Sequence, residues 1–105
     1  MSHVKSRIKH IDLAFLGDGW AECFVDFRAM RWSELKDLRQ QSQGATGDQP
    51  MEILIRTLHD HFVSGKTVGD DGQTYAMAAE DVADFDIETL TVFSEVLGGA
   101  PAPNA

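Results

Sequence analysis

The chain has 105 residues, of which 43% are hydrophobic and 25% are charged. This length and composition are typical of one folded domain and exclude a wholly disordered chain. The longest apolar runs are too short to span a membrane, and no apolar stretch follows the basic residues near Met1 to form a signal peptide. Because the single cysteine, Cys23, also excludes an intrachain disulfide, we expect a cytosolic, unprocessed protein.

The net charge of −8 is concentrated in the last third of the chain. Residues 1–65 contain nine acids and eight bases, a net of −1, whereas residues 66–105 contain eight acids and one base, a net of −7. Such a surface repels phosphate, so neither nucleic acid nor an anionic membrane is expected as a partner. A basic protein surface is a better electrostatic match, although acidity also serves solubility alone.

Two alternating segments near the N-terminus predict a β-hairpin. Apolar residues occupy every second position on either side of Gly17-Asp18-Gly19, three residues that favour a turn. These apolar positions are Ile11, Leu13, Phe15, Ala21, Cys23, Val25 and Phe27. We therefore predict strands over Ile8–Leu16 and Trp20–Arg28, with Trp20 and Phe24 on the polar face.

Two helices are predicted in the middle of the chain. Ser33 can cap a helix that runs to about Gln41, and the aperiodic segment after it, residues 42–49, is typical of a loop. Pro50 then suits the first position of a second helix, which Gly65 ends. That helix carries an apolar stripe at helical spacing, formed by Met51, Ile55, Leu58 and Phe62.

The last third predicts a small hairpin, one helical turn and a terminal helix. In chain order these are the arms Thr67-Val68 and Thr74–Met77 across the turn Asp70-Asp71-Gly72, the helical turn Ala79–Ala83 and the helix Ile87–Leu97. Asp86 caps that helix and Gly98 stops it. The residues that share its apolar face are Ile87, Leu90, Phe93 and Leu97.

This order of elements predicts an α+β fold, in which an antiparallel β-hairpin or small sheet packs with about three α-helices. Residues 1–98 form a single domain in this interpretation. The tail, residues 99–105, is expected to be disordered because it has nothing to pack against. Three short amphipathic helices offer more apolar surface than one small core needs, which indicates either self-association or a hydrophobic client.

No metal or cofactor site is predicted. His59 and His61 lie two residues apart on a helix, where side chains diverge by about 200°, so they cannot converge on one ion. The turn Asp70-Asp71-Gly72 lacks three of the ligands that a calcium loop requires. Gly17-x-Gly19 lacks the third glycine and the following helix of a dinucleotide site.

Catalysis is not predicted either, and the protein is interpreted as a non-enzyme. Cys23 lies in a predicted strand and is expected to be a small core residue, and the carboxylate pairs lie in polar segments that would not raise a pKa for acid–base chemistry. The serines without a nearby catalytic His/Asp arrangement are Ser33, Ser42, Ser64 and Ser94.

Aromatic residues are the remaining candidates for binding a partner. Trp20 and Trp32 are each large enough to anchor an interface. In a domain this small, however, an aromatic residue more often fills the core, and the same holds for the apolar stripe of the second helix. The sequence therefore leaves the partner-binding residues unassigned.

The layout of residues 10–99 resembles the tail assembly chaperones of long-tailed, siphovirus-like bacteriophages. The matching features, in chain order, are the hairpin Ile11–Phe27, the helix with Trp32-Ser33-Glu34-Leu35-Lys36-Asp37-Leu38, the loop, the central helix ending in Phe62-Val63, the turn Asp70-Asp71-Gly72, the segment Glu80-Asp81-Val82-Ala83-Asp84-Phe85, the last helix and the Gly/Ala/Pro tail. This family has no invariant catalytic or ligand motif, so no site residue is carried over.

The resemblance implies a protein, absent from the finished virion, that binds the tape-measure protein and recruits tail-tube subunits during tail morphogenesis in the host cytoplasm. A homo-oligomer is compatible with that role. Two alternatives stay open. One is a small acidic inhibitor that mimics nucleic acid with the carboxylates of residues 70–95, and whose complexes would be strongly salt-sensitive. The other is a structural subunit of a head or tail ring, which would persist in purified particles.

Overall fold

The computed structural model describes residues 3–103. Its helices and strands, in chain order, are β1 (Ile8–Asp12), β2 (Phe24–Arg28), α1 (Trp32–Ser42), α2 (Gln49–His61), β3 (Phe62–Val68), β4 (Thr74–Ala76) and α3 (Ile87–Leu97). Short 3₁₀ segments accompany them at Ala14–Leu16, Asp18–Trp20 and Ala79–Asp84. The strands form one antiparallel sheet in the order β1-β2-β3-β4. The predicted α+β fold class, with its strands first, is therefore confirmed.

The N-terminal hairpin forms, but its strands are shorter than predicted. Ladder pairing joins Ile8–Asp12 to Phe24–Arg28 alone, and the chain between them folds into two 3₁₀ turns that Leu13 closes by donating its N–H to the Cys23 carbonyl at 2.9 Å. The predicted extension of both arms to Leu16 and Trp20 is therefore wrong. The extended backbone ends at Asp12 because Leu13 already has the non-extended angles φ −95° and ψ 6°, and Gly17, with φ +133°, joins the two 3₁₀ turns that follow.

The core lies between one face of the sheet and the helices α2 and α3. Period-two alternation places Ile11, Val25 and Phe27 on the covered face, and all three are fully buried. The Phe27 and Phe93 rings lie 5.4 Å apart, in the range of favourable aromatic pairs. The buried hydrophobic residues are Ile11, Leu13, Cys23, Val25, Phe27, Leu58, Met77, Val82, Leu90, Phe93, Val96 and Leu97.

The junction between α2 and β3 differs from the prediction that Gly65 ends the central helix. The helix ends at His61, and the strand begins at the next residue, Phe62, which pairs with Phe27. A Cβ at position 65 would lie 2.8 Å from the Phe24 carbonyl oxygen and 3.2 Å from the Met77 Cβ. Gly65 is therefore required for close packing inside the sheet, and it does not serve as a helix stop.

The helix ends confirm one predicted cap and correct another. Asp86 caps α3, because its carboxylate accepts hydrogen bonds from the Thr89 N–H at 3.1 Å and the Thr89 hydroxyl at 2.7 Å. In α1, Arg31 takes the cap position that was predicted for Ser33, and its N–H donates to the Glu34 carboxylate at 2.9 Å. Glu34 thus supplies the half of a capping box in which a first-turn carboxylate accepts from the N–H of the cap residue, whereas a capping serine would accept from an N–H within the first turn.

The C-terminal third follows the prediction closely. β3 and β4 pair across a tight turn in which Gly72 has φ +79° and donates its N–H to the Gly69 carbonyl at 2.9 Å. α3 spans the predicted residues, but Ile87 is 67% exposed, so its place on the apolar face was wrong. Its position in the first turn, beyond the edge of the core, leaves that side chain without a packing partner on the covered face.

After α3 the chain turns back onto the helix end. The N–H groups of Gly99 and Ala100 donate to the carbonyls of Val96 and Glu95 at 3.1 and 2.9 Å. Disorder of residues 99–105 stays a prediction, and its last two residues, Asn104 and Ala105, lie outside the described range. Within residues 3–103 we find no helix with the length and apolarity needed to cross a bilayer.

Candidate functional site

One depression of the described surface is an acidic groove of about 530 Å³ at one end of the sheet. Its residues are Trp20, Thr67, Val68, Gly69, Asp70, Asp81, Asp84, Phe85 and Asp86. The Trp20 and Phe85 rings lie 5.8 Å apart and give the groove an aromatic wall. Among residues 3–103 no basic residue lines it, so at neutral pH it combines apolar surface with negative charge.

Local hydrogen bonds hold two of the four groove aspartates in place. Asp81 accepts from the Ala78 N–H at 2.8 Å, and Asp86 caps α3 as described above. Hydrogen bonds from the Thr89 hydroxyl and then the Thr89 N–H lower the pKa of Asp86. Because these donors favour the ionised form, the Asp86 carboxylate stays charged at lower pH than an ordinary aspartate does.

A basic surface lies around Trp32, where two adjoining depressions of about 500 and 340 Å³ share five residues. Together they are lined by Val4, Lys5, Ser6, Arg7, Lys9, Ala29, Met30, Arg31, Trp32, Ser33, Leu35, Leu97, Gly98 and Gly99. Trp32 is 67% exposed, and the Arg39 guanidinium lies 5.8 Å from its ring centroid, within cation–π range. Within the described part of the chain, no acidic residue belongs to this lining.

An ion pair with Arg28 neutralises Glu34, the acid that directly follows Ser33 of this lining. Both oxygens of the Glu34 carboxylate accept from the Arg28 guanidinium at 2.9 Å. The Arg28 hydrogen bonds are the largest cause that lowers the pKa of Glu34 from 4.5 to about 2. Arg31 donates from its guanidinium to the Val4 carbonyl and the Ser6 hydroxyl, which ties the N-terminal segment to the start of α1. Because the Glu34 carboxylate is already paired with Arg28, it does not neutralise the exposed bases of this surface.

Strand register places the acidic groove and the basic surface at opposite ends of the sheet. Asp12 pairs with Phe24 at one end, and Ile8 pairs with Arg28 at the other. The groove continues from the Phe24 end, whereas the basic surface continues from the Arg28 end. At about 3.4 Å per residue, β2 alone separates them by roughly 14 Å.

The uncovered face of the sheet carries a polar cluster that sequence patterns did not reveal. The His10 ring donates from Nδ1 to Asp26 at 2.6 Å, its Nε2 lies 3.2 Å from Asp12, and the ring stacks on Phe24 at 5.2 Å. Its hydrogen bond to Asp26 is the main cause that raises the pKa of His10. These residues meet only through strand pairing, so no local spacing could have signalled the cluster.

The same face brings a serine near a histidine without making a nucleophile. Ser64 lies 3.5 Å from the Asp26 carboxylate, which in turn binds His10. The carboxylate stands between the hydroxyl and the imidazole, so the ring cannot take the serine proton as a general base does. This arrangement stabilises the pairing of three strands and offers no hydrolytic chemistry.

The two helical histidines diverge, as their spacing predicts. His61 is buried, and its Nδ1 donates to the Thr57 carbonyl at 2.8 Å. Its Nε2 lies 3.1 Å from Glu34 but is not aligned for a hydrogen bond, whereas the His59 side chain is 48% exposed. Among residues 3–103, no three His, Cys, Asp or Glu side chains are grouped in a way that could hold a metal ion.

Other singled-out residues have structural roles. Cys23 is 1% exposed, which confirms its interpretation as a core residue, and burial raises the pKa of its thiol. In the acidic turn, Asp71 accepts hydrogen bonds from the Gln73 N–H and the Tyr75 hydroxyl, as a turn aspartate does. Gly19 lies within the second 3₁₀ turn, and Gly17 lies between the two turns.

The sequence did not decide whether the two tryptophans belong to the core or to an interface. In the structure they have different surroundings. Trp20 packs partly against the core and also lines the acidic groove, whereas Trp32 is mostly exposed. The apolar stripe of α2 belongs to the core: Leu58 is buried, and its neighbours Met51, Ile55 and Phe62 pack against the core. Exposure of Trp32 had no signal in the sequence, because its place at the start of α1 also suited a buried residue.

Comparison of this chain with protein-family models, with curated proteins and with solved structures finds no match.

Proposed function

We propose that this protein is a non-enzymatic assembly chaperone of phage tails, which binds the tape-measure protein and recruits tail-tube subunits in the host cytoplasm. One observation supports this proposal above the others. The domain closes its own core and still leaves two surfaces with open aromatic residues, the acidic groove and the basic surface. Open aromatic surface of this kind is typical of sites that bind proteins.

The chemistry of the two depressions suits protein partners. Trp20 and Phe85 on one side and Trp32 on the other can bury apolar side chains of a partner, which is the main source of affinity in protein interfaces. The charges beside them keep the free protein dispersed and exclude partners of the wrong sign. A chaperone that coats a long client in many copies needs contact surfaces on more than one side, and the depressions at the two ends of the sheet are candidates for them.

Co-expression with an apolar fragment of a phage tape-measure protein tests the proposal. We expect the fragment to become soluble with the wild-type protein and to remain soluble at high salt, because apolar contacts resist screening. Replacing Trp32 with alanine should reduce the soluble fraction. Ile87→Ala is the matched control, since Ile87 is also 67% exposed but belongs to neither depression. A fragment that is equally insoluble with and without the protein would contradict the proposal.

Gene order gives an independent test. A tail-tube gene upstream and a very long tape-measure gene downstream are expected beside the gene for this chain.

The alternative interpretation as a structural subunit of a head or tail ring is distinguished by whether the protein persists in purified particles. Such a subunit stays in purified particles, whereas a chaperone is absent from them.

A second candidate function is favoured by the four aspartates of the acidic groove. Asp70, Asp81, Asp84 and Asp86 share one depression that no base lines, and such a row of carboxylates could occupy the basic cleft of a nucleic-acid-binding protein. This role predicts a complex that dissociates strongly as salt rises. Retention of an isolated partner at high salt would exclude it in favour of the chaperone.

A further inference from the structure

We infer that the basic surface around Trp32 binds a short acidic segment of a protein partner, with one bulky apolar side chain of that segment packed against the indole. The inference rests on the proposed function in one respect, which is that it takes this surface as a binding surface. It adds the chemistry of the partner: carboxylates that flank a leucine, methionine or aromatic residue. The acidic groove stays free for a different partner.

The basic surface concentrates positive charge in a chain whose net charge is −8. Four of the nine lysines and arginines of the chain line it, and these are Lys5, Arg7, Lys9 and Arg31. Arg39 adds a fifth guanidinium, 5.8 Å from the centroid of the Trp32 ring. Because salt screens exposed charges beyond about 8 Å, a bound segment responds to these bases more than to the net charge. The surface therefore selects a partner that is locally acidic.

An apolar floor lies beside the exposed indole. Met30, Leu35 and Leu97 line the same depression as Trp32, which has a volume of about 340 Å³. Trp32 itself is 67% exposed. An apolar side chain of a partner can be buried against the indole and this floor together, and such burial supplies affinity that charge alone does not. Bases around an apolar centre match the usual arrangement of an interface core and its polar rim.

The limited extent of the basic surface favours a protein segment over a nucleic acid. Outside its lining the chain contains seventeen acids and five bases, a net of −12. A nucleic-acid strand carries a phosphate on every nucleotide, so it would meet this negative field as soon as it left the surface. A protein segment can place a few carboxylates at the bases and be uncharged beyond them. The partner is therefore acidic over a short stretch only.

NMR titration of the isotope-labelled full-length chain tests this inference. The probe is a short synthetic peptide in which glutamates flank one central leucine. Two comparison peptides carry lysine in place of the glutamates or alanine in place of the leucine. We expect the first peptide to shift the Trp32 indole signal, to leave the Trp20 indole signal in place, and to bind at least about tenfold more tightly than either comparison peptide. Added salt should weaken this binding.

A pair of charge-reversed variants shows which bases are responsible. Lys5→Glu/Lys9→Glu reverses two bases of the surface and should weaken binding of the acidic peptide at least about tenfold. Arg56→Glu/Lys66→Glu is the matched control, because it changes the net charge equally at bases outside the lining. The control should bind the peptide within about twofold of the wild type. Circular dichroism of both variants checks that they are folded.

Five results would overturn the inference. The acidic peptide might leave the Trp32 signal unchanged at low salt, the lysine peptide might shift it equally, or both variants might weaken binding to the same extent. Tighter binding of a single-stranded oligothymidine at Trp32 would assign the surface to nucleic acid. A dimer of the free protein that Lys5→Glu/Lys9→Glu dissociates would assign it to a second copy of the chain.

The outcomes also separate this inference from the proposed function. A protein that keeps the tape-measure fragment soluble but does not bind the acidic peptide at Trp32 would overturn the inference and leave the chaperone role intact. A protein that binds the peptide there but leaves the fragment insoluble would do the reverse.

Discussion

Helices α1 and α3 have the same length, eleven residues, but they are held to the domain by different forces. α3 buries Thr89, Leu90, Phe93, Val96 and Leu97, whereas no residue of α1 is fully buried. α1 is attached instead through partly buried leucines and the ion pair between Arg28 and Glu34. α3 thus stabilises the fold through apolar burial, whereas α1 is a largely polar attachment on which Trp32 is exposed.

The largest test of this comparison is to empty the α3 side of the core. Phe93→Ala removes a fully buried ring that contacts Phe27 and Phe85 at 5.4 and 5.3 Å. We expect a loss of about 3–5 kcal/mol in the free energy of unfolding, because both transfer and cavity contributions are lost. Urea unfolding followed by circular dichroism measures it. A loss below about 1 kcal/mol would show that α3 is not the principal source of stability.

A smaller effect is expected when the polar attachment of α1 is weakened. Glu34→Gln removes the charge that accepts two hydrogen bonds from Arg28, so we expect about 2 kcal/mol of destabilisation. Hydrogen exchange should show faster opening of α1 with little change in α3. Glu52→Gln, at an exposed acid in the first turn of α2, serves as the control and should change stability by less than about 0.5 kcal/mol. Uniform loss of protection in both helices would contradict the comparison.

Acid should loosen α1 through the same carboxylate. The pKa of Glu34 falls from 4.5 to about 2 on folding, so its contribution is present above pH 4.5 and is lost as pH falls towards 2. Unfolding experiments across that range should show a steeper loss for the wild type than for Glu34→Gln. Asp71 and Asp86 also have lowered pKa values, but they titrate in both proteins and cancel in the difference. Parallel curves for the two proteins would exclude this role.

The smallest effect on stability is expected at the exposed residue of α1. Trp32→Ala removes a ring that is 67% exposed and contacts Arg39, so the free energy of unfolding should change by less than about 1 kcal/mol. The same variant should reduce the amount of tape-measure fragment that stays soluble on co-expression. A loss of several kcal/mol would mean that Trp32 serves the fold and not a partner.

The sequence predicts the fold class well because local patterns and sheet pairing agree over most of the chain. Ile11, Val25 and Phe27 alternate in the sequence and are buried on one face of the sheet. The boundary at Phe62 was missed for a physical reason. An apolar residue at helical spacing also suits the first position of a strand. Pairing with Phe27 places Phe62 in the strand and not in the last turn of the helix. Tertiary contact overrides local preference there.

Only the negative charge of the candidate site could be predicted from the sequence. The excess of acids in residues 66–105 was visible and indicated a negative surface, but the groove also requires Trp20 from a distant turn. The basic surface was hidden, because acids elsewhere in residues 1–65 nearly cancel its bases in any sum over the sequence. Register and folding separate those charges in space, and neither is encoded in a local pattern.

The chain contains two tryptophans, and each stands at one of the two depressions. The molecule thus carries a built-in optical reporter at either end. With Trp20 or Trp32 replaced by phenylalanine, the emission wavelength and quenching of the remaining indole would follow one end alone. Occupancy of the groove and of the basic surface could then be monitored separately in unlabelled protein.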